Sequence, residues 1–96
     1  MNPQRGEIGL MIDGEERRLC LTLGALAEIE AALGCHSLKD LTVRLKAVSA
    51  ADLIKVLAAL LRGGGEADLA MRVGELQLSP KRAMQAVLTC FARATS

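Results

Sequence analysis

Apolar and polar residues alternate in two short runs near the N-terminus, then give way to apolar positions spaced three and four apart. In the first run Ile8, Leu10 and Ile12 share one face; in the second Leu19 and Leu21 share a face, and Arg17 and Arg18 open the run in a more exposed setting. Between the runs lies Asp13-Gly14, a tight-turn signal, so residues 6–22 read as a β-hairpin. A lone hairpin is marginal in water, and its apolar side must pack on the remainder of the chain.

From residue 22 onward the spacing is helical. Thr22 can cap a helix from Leu23 to Leu33, with Leu26, Ile29 and Leu33 on its buried stripe, Glu28 and Glu30 on its wetter side and Gly34 at the C-cap. Ser37 with Asp40 starts a second helix whose stripe is Leu38, Leu41 and Leu45, and Ser49 with Asp52 starts a third. The third carries Leu53, Ile54, Val56, Leu57, Leu60 and Leu61 before Gly63-Gly64-Gly65, which reads as a helix stop and flexible connector. On a wheel its polar residues Asp52, Lys55 and Arg62 occupy a sector of only about 80°, which places this helix near the centre of the domain. A short fourth helix is expected within Glu66 to Val73. Ser79-Pro80 opens the last one, which should run to about Ala94. The expected fold is therefore α+β and mainly helical, a hairpin leading into a compact domain of four to five helices. It forms a single domain over 1–96, with the hairpin at 6–22, the helical part at 23–94 and frayed ends at 1–5 and 95–96.

The last helix gathers Lys81, Arg82, Gln85, Thr89 and Arg93 within about 120° of its wheel, leaving more than half its circumference apolar. That width admits two readings. Either the apolar arc faces the core, as wide stripes usually do, or part of it is offered to a partner, with Met84, Val87, Leu88 and Phe91 as the candidate contacts.

Composition narrows the choice of function. The 96 residues are 51% apolar and 24% charged, and 12 Lys+Arg against 11 Asp+Glu leave a net charge of +1. Such a balance supplies no positive field for nucleic acid or an anionic membrane. Phe91 is the sole aromatic residue, so base-stacking surfaces are excluded as well. No apolar run approaches the roughly 18 residues of a membrane span, nor is there a signal-peptide pattern, and Cys20, Cys35 and Cys90 are odd in number and widely spaced. These features lead us to expect a soluble protein of the cytoplasm.

Candidate chemistry is sparse. Cys20, Cys35, Cys90 and His36 total four zinc-ligand types, but none of the close Cys pairs of structural zinc sites is present. Cys35 and His36 are adjacent, a poor arrangement for a nucleophile and its base, and nothing orients them. The glycine run lacks the Gly-Lys-Ser/Thr of a phosphate loop and comes after a helix instead of preceding one. No catalytic residue, cofactor or metal is expected, and an interaction or structural protein is favoured over an enzyme.

One stretch does resemble a known family. Arg17-Arg18-Leu19-Cys20-Leu21-Thr22-Leu23-Gly24-Ala25-Leu26-Ala27-Glu28-Ile29-Glu30, then Leu33-Gly34, Ser37-Leu38, Leu41, Arg44-Leu45, Asp52-Leu53, Val56-Leu57 and Leu61-Arg62-Gly63-Gly64-Gly65, resembles the gene transfer agent family of small phage tail proteins, whose members are described as tail-tube related and as tail assembly chaperones. The likeness covers about Gly6 to Gly65 and is strongest at Leu21 to Glu30 and at the glycine run. It implies a non-enzymatic role in tail assembly, in a prophage or gene transfer agent. A chaperone of this kind binds the tape-measure protein and aids tail-tube assembly through apolar helix surfaces. The alternatives are a tail-tube or connector component retained in the particle, which would make it virion-associated, and a small protein-binding regulator. A homo-oligomer is a further way to cover an apolar helix.

Overall fold

The computed structural model describes residues 7–95. Gly6, the ends at 1–5 and residue 96 lie outside the described residues, and 95 is the last residue of a helix. The fold is α+β and mainly helical: β1 (Glu7–Ile12), β2 (Glu15–Cys20), α1 (Leu23–Leu33), α2 (Leu38–Leu45), α3 (Ala50–Gly63), α4 (Ala67–Ala70), a 3₁₀ turn at Val73–Glu75, and α5 (Pro80–Thr95).

β1 and β2 pair antiparallel with Ile12 opposite Glu15. The two residues between them both take positive φ, 52° at Asp13 and 83° at Gly14. That is the mirror-image turn whose twist matches a hairpin, and Asp-Gly suits it because both residue types tolerate the left-handed region. Ile8, Leu10, Ile12 and Leu19 form the buried face. The second strand departs from simple alternation. It ends at Cys20, which is buried on the opposite face, and Leu21 lies beyond the strand, half-buried. Arg17 stands opposite Leu10 and so falls on the core side of the sheet, where its guanidinium reaches Glu15 at 3.0 Å and Glu66 at 3.4 Å.

The helix starts obey local chemistry. Thr22, Ser37, Ser49 and Ser79 each turn a side-chain oxygen to accept the backbone N–H three residues on, at 3.0, 3.1, 3.1 and 3.2 Å. Each bond satisfies a donor that has no partner within its helix. On α1 the buried stripe is Ala25, Ile29 and Leu33, with Leu26 only partly buried. Leu41 and Leu45 of α2 are fully enclosed, whereas Leu38 at its first turn is exposed. In place of one helix over 66–73 there is the single turn of α4, tightened at its end by the Arg72 N–H donating to the Leu69 carbonyl at 3.0 Å, and then the 3₁₀ turn.

Everything is built around α3. Its run Val56 to Leu61 is buried on all sides, and it touches α1, α4, β2, α5 and the 3₁₀ turn. Ile54, which the sequence pattern puts in the core, is instead 43% exposed, because the irregular segment after α4 leaves the N-terminal half of α3 partly uncovered.

The glycine run corrects the expectation of a flexible connector. The Glu66 N–H donates to the Leu61 carbonyl at 2.8 Å and the Gly65 N–H to the Arg62 carbonyl at 3.1 Å, with Gly65 at φ 86°. This is a Schellman stop, so the helix end is set as the sequence suggests. Gly63 and Gly64 have a different task. A Cβ built on Gly63 would overlap the Cys20 carbonyl oxygen, and one on Gly64 would overlap that of Arg18. The end of α3 therefore presses backbone to backbone against the outer edge of β2, and Glu66 completes the seal by accepting the Arg18 N–H at 3.1 Å.

Gly63→Ala or Gly64→Ala should each cost about 3 kcal/mol, the upper end of overpacking costs, because strand backbone must yield. Gly65→Ala meets no atom within 4 Å and bears only the positive-φ penalty, about 1 kcal/mol. Urea unfolding of the three variants should separate the first two from the third.

Candidate functional site

The residues singled out on α5 divide between core and surface. Val87 is 0% exposed and Phe91 5%, both within the main core cluster with Ala83, Ala86 and Cys90. Met84 is half-buried and Leu88 is 37% exposed. Most of the wide apolar arc is thus taken up by α3 and β1, which pack on α5 from two sides. Of the four candidates only Leu88 and part of Met84 remain on the surface.

The surface feature that sequence reasoning missed lies at the other end of α5. An apolar groove of about 180 Å³ runs between the first half of α3 and the segment leading into α5. Leu53, Ile54 and Leu57 form one wall, at helical spacing on α3. Val73, Leu76 and Leu78 form the other, and Pro80 and Ala83 close the end. Its size is below the roughly 300 Å³ at which metabolite sites begin. The signal available in sequence was the mismatch between an α3 that is apolar nearly all round and a succeeding segment with too little regular structure to cover it.

Further aliphatic side chains reach solvent on separate elements, with Leu23 at the start of α1 86% exposed and Met71 after α4 83% exposed. Among the described residues no helix is long and apolar enough to cross a membrane.

Cys35 and His36, the adjacent pair considered from the sequence, are placed in different surroundings. Cys35 is buried, its Sγ 3.9 Å from the Leu33 carbonyl oxygen, whereas the neighbouring His36 is exposed. No three His, Cys, Asp or Glu side chains converge where a metal could sit. All three cysteines are buried and none is in a disulfide. Burial pushes the Cys90 thiol up from 9.0 to about 12, with a smaller push from Cys20 and an opposing pull from Arg93. The folded protein thus holds the Cys90 proton more tightly than the unfolded chain does. The stability this represents is complete below pH 9.0 and is lost as pH rises towards about 12. Denaturation midpoints should fall over that window, with Cys90→Ala showing a smaller fall. At pH 8, Cys90 should react with a thiol reagent only as fast as the whole protein opens.

Comparison with known proteins adds a family. No curated protein and no solved structure matches the chain. A family model described as "Phage tail tube protein, GTA-gp10" matches residues 5–95, nearly the whole sequence. The match takes in the hairpin, the sealed corner at the glycine run, the apolar groove and α5, and by it the chain belongs to the GTA-gp10 family of phage tail tube proteins.

Proposed function

We propose that this protein serves as a tail assembly chaperone, a non-catalytic binder of the tape-measure protein that also brings tail-tube subunits to it. The observation that carries this reading is the groove beside α3, an apolar cleft bordered by the exposed Ile54. A long helical client with apolar side chains is prone to aggregate until its partners assemble on it, and a cleft of this size takes such side chains one at a time. Leu88 and Met71 are further exposed aliphatic side chains away from the groove, and Met in particular adapts to varied contacts. On this reading the protein works in the bacterial cytoplasm and is absent from the finished particle.

The family description favours a second reading, a tube component that stays in the particle. Against it stands the sheet. A tube subunit that joins its neighbours through continuous strands needs two accessible sheet edges, and the outer edge of β2 is sealed by Gly63, Gly64 and Glu66.

Co-expression with the tape-measure protein of the same tail is the test. The native chain should keep that client soluble. Ile54→Glu should reduce the captured client about tenfold, the equivalent of losing one buried aliphatic contact, while circular dichroism stays unchanged. Leu88→Glu should have a similar or smaller effect. Full capture by Ile54→Glu would remove the groove from the account, and full capture by Leu88→Glu would remove the exposed face of α5. Recovery of the chain from purified particles at tube stoichiometry would establish the second reading in its place.

A further inference from the structure

The two edges of the hairpin are closed in different ways. The edge of β2 is blocked by the backbone of α3, and no side chain can move aside to open it. The edge of β1 faces α5 across a channel and is bridged by side chains from that helix. With Ile12 paired to Glu15 next to the turn, Ile8, Leu10 and Ile12 direct their N–H and C=O groups to β2, and Glu7, Gly9 and Met11 direct theirs outward. The outward carbonyl of Met11 accepts from the Arg82 guanidinium at 3.0 Å, and that of Glu7 from Arg93 at 3.5 Å. Between them the outward N–H and C=O of Gly9 have no partner among the described residues. They face a channel of about 290 Å³ between the strand and α5, floored by Gln85, Ala86 and Thr89 and flanked by Arg82 and Arg93.

We propose that this edge is a docking site for one extended, acidic segment of a partner protein, which would add to β1 as a third strand. Exposed strand edges are templates for such addition, and Gly9 supplies an open donor and acceptor at the centre of this one. The acidic character comes from charge: Arg82 and Arg93 are the charged side chains that line the channel, α5 carries no acidic residue, and the carboxylate nearest Gly9, that of Glu16, lies over it on the outer face of the sheet and not in the channel. A carboxylate offers Arg82 a charge-assisted bond stronger than the one it makes to the neutral Met11 carbonyl, so an acidic strand both releases the edge and holds the released side chain. A second copy of the protein is a poorer occupant. Antiparallel pairing of β1 with its counterpart about Gly9 would set Arg93 of one copy beside Arg82 of the other at both ends. Because the β2 edge is sealed, the addition stops at one strand and cannot propagate into a fibre or ring.

This inference is independent of the tape-measure reading, since it concerns a different face and a different chemistry. The probe is a synthetic peptide of alternating Glu and Val, capped at both ends and about seven residues long to span Glu7–Met11 at about 3.3 Å per residue. Titrated into nitrogen-15-labelled protein, it should shift the Gly9 amide resonance and slow its hydrogen exchange at least about tenfold, with affinity falling as salt is raised. Arg82→Gln should weaken binding about tenfold. Gly9→Pro removes the outward N–H and leaves the β1–β2 ladder intact, as proline is accepted at outward positions of an edge strand. The added ring displaces the Glu16 carboxylate that lies over Gly9, so resonances should shift only around Glu16 and the β1 edge, the rest of the spectrum staying native, and binding should be lost. Unchanged Gly9 exchange at saturating peptide would overturn the proposal, as would equal binding of a Lys–Val peptide. Concentration-dependent self-association of the native chain that Gly9→Pro abolishes would make a second copy the occupant and overturn it also.

Discussion

The close approach of α3 to the edge of β2 is the constraint on which the rest of this fold depends. Two strands cannot bury one another, and a hairpin by itself leaves both a face and two edges to be covered. Here the face is covered by the core and the β2 edge by the last turn of α3, where Gly63 and Gly64 allow backbone to meet backbone at Cys20 and Arg18. Once α3 ends there, its buried run from Val56 to Leu61 is set beneath the sheet, and α1 and α5 have a fixed central helix to pack against.

Polar contacts result from that placement and do not drive it. Glu66 lies at the corner because the Schellman stop turns the chain there, and it then receives the Arg18 N–H and the Arg17 guanidinium. Arg17 falls on the core face by register, so its Nε is buried without a hydrogen-bond partner and its charge is met by Glu15 and Glu66 at the sheet margin. Arg62 reaches Glu28 across α1 and α3 at 3.1 Å, an exposed pair that orients more than it stabilises. Closure is therefore uneven. One sheet edge is sealed by backbone, the other is held by arginine side chains, and the first half of α3 is left partly open. Those two less complete regions differ in character, an apolar groove beside α3 and a strand edge at β1 flanked by Arg82 and Arg93.

Much of the fold was legible in the sequence because its signals are local. Asp13-Gly14 demands a mirror-image turn, and Thr22, Ser37, Ser49 and Ser79 each satisfy an N–H within three residues of themselves. Ser79-Pro80 opens the last helix for the same reason. Local logic failed where burial depended on distant neighbours. Val87 and Phe91 look like a sticky face when α5 is considered alone, yet α3 and β1 enclose them. Ile54 sits in a core pattern, yet the turns after α4 do not extend far enough to cover it.

The glycine run shows both halves of that division at once. By itself the sequence determined that α3 stops there, since glycine at the left-handed position after a helix needs no knowledge of the rest of the chain. Only the tertiary structure decided why three glycines stand where one would end a helix: the other two lie against strand carbonyls contributed by residues more than forty positions away, and no local pattern records that contact. Helix starts, stops and turns are set by bonds a few residues long and can be read along the chain. Edge sealing, groove formation and the choice of which apolar face stays exposed are set by shape complementarity between distant segments, which exists only once they have met.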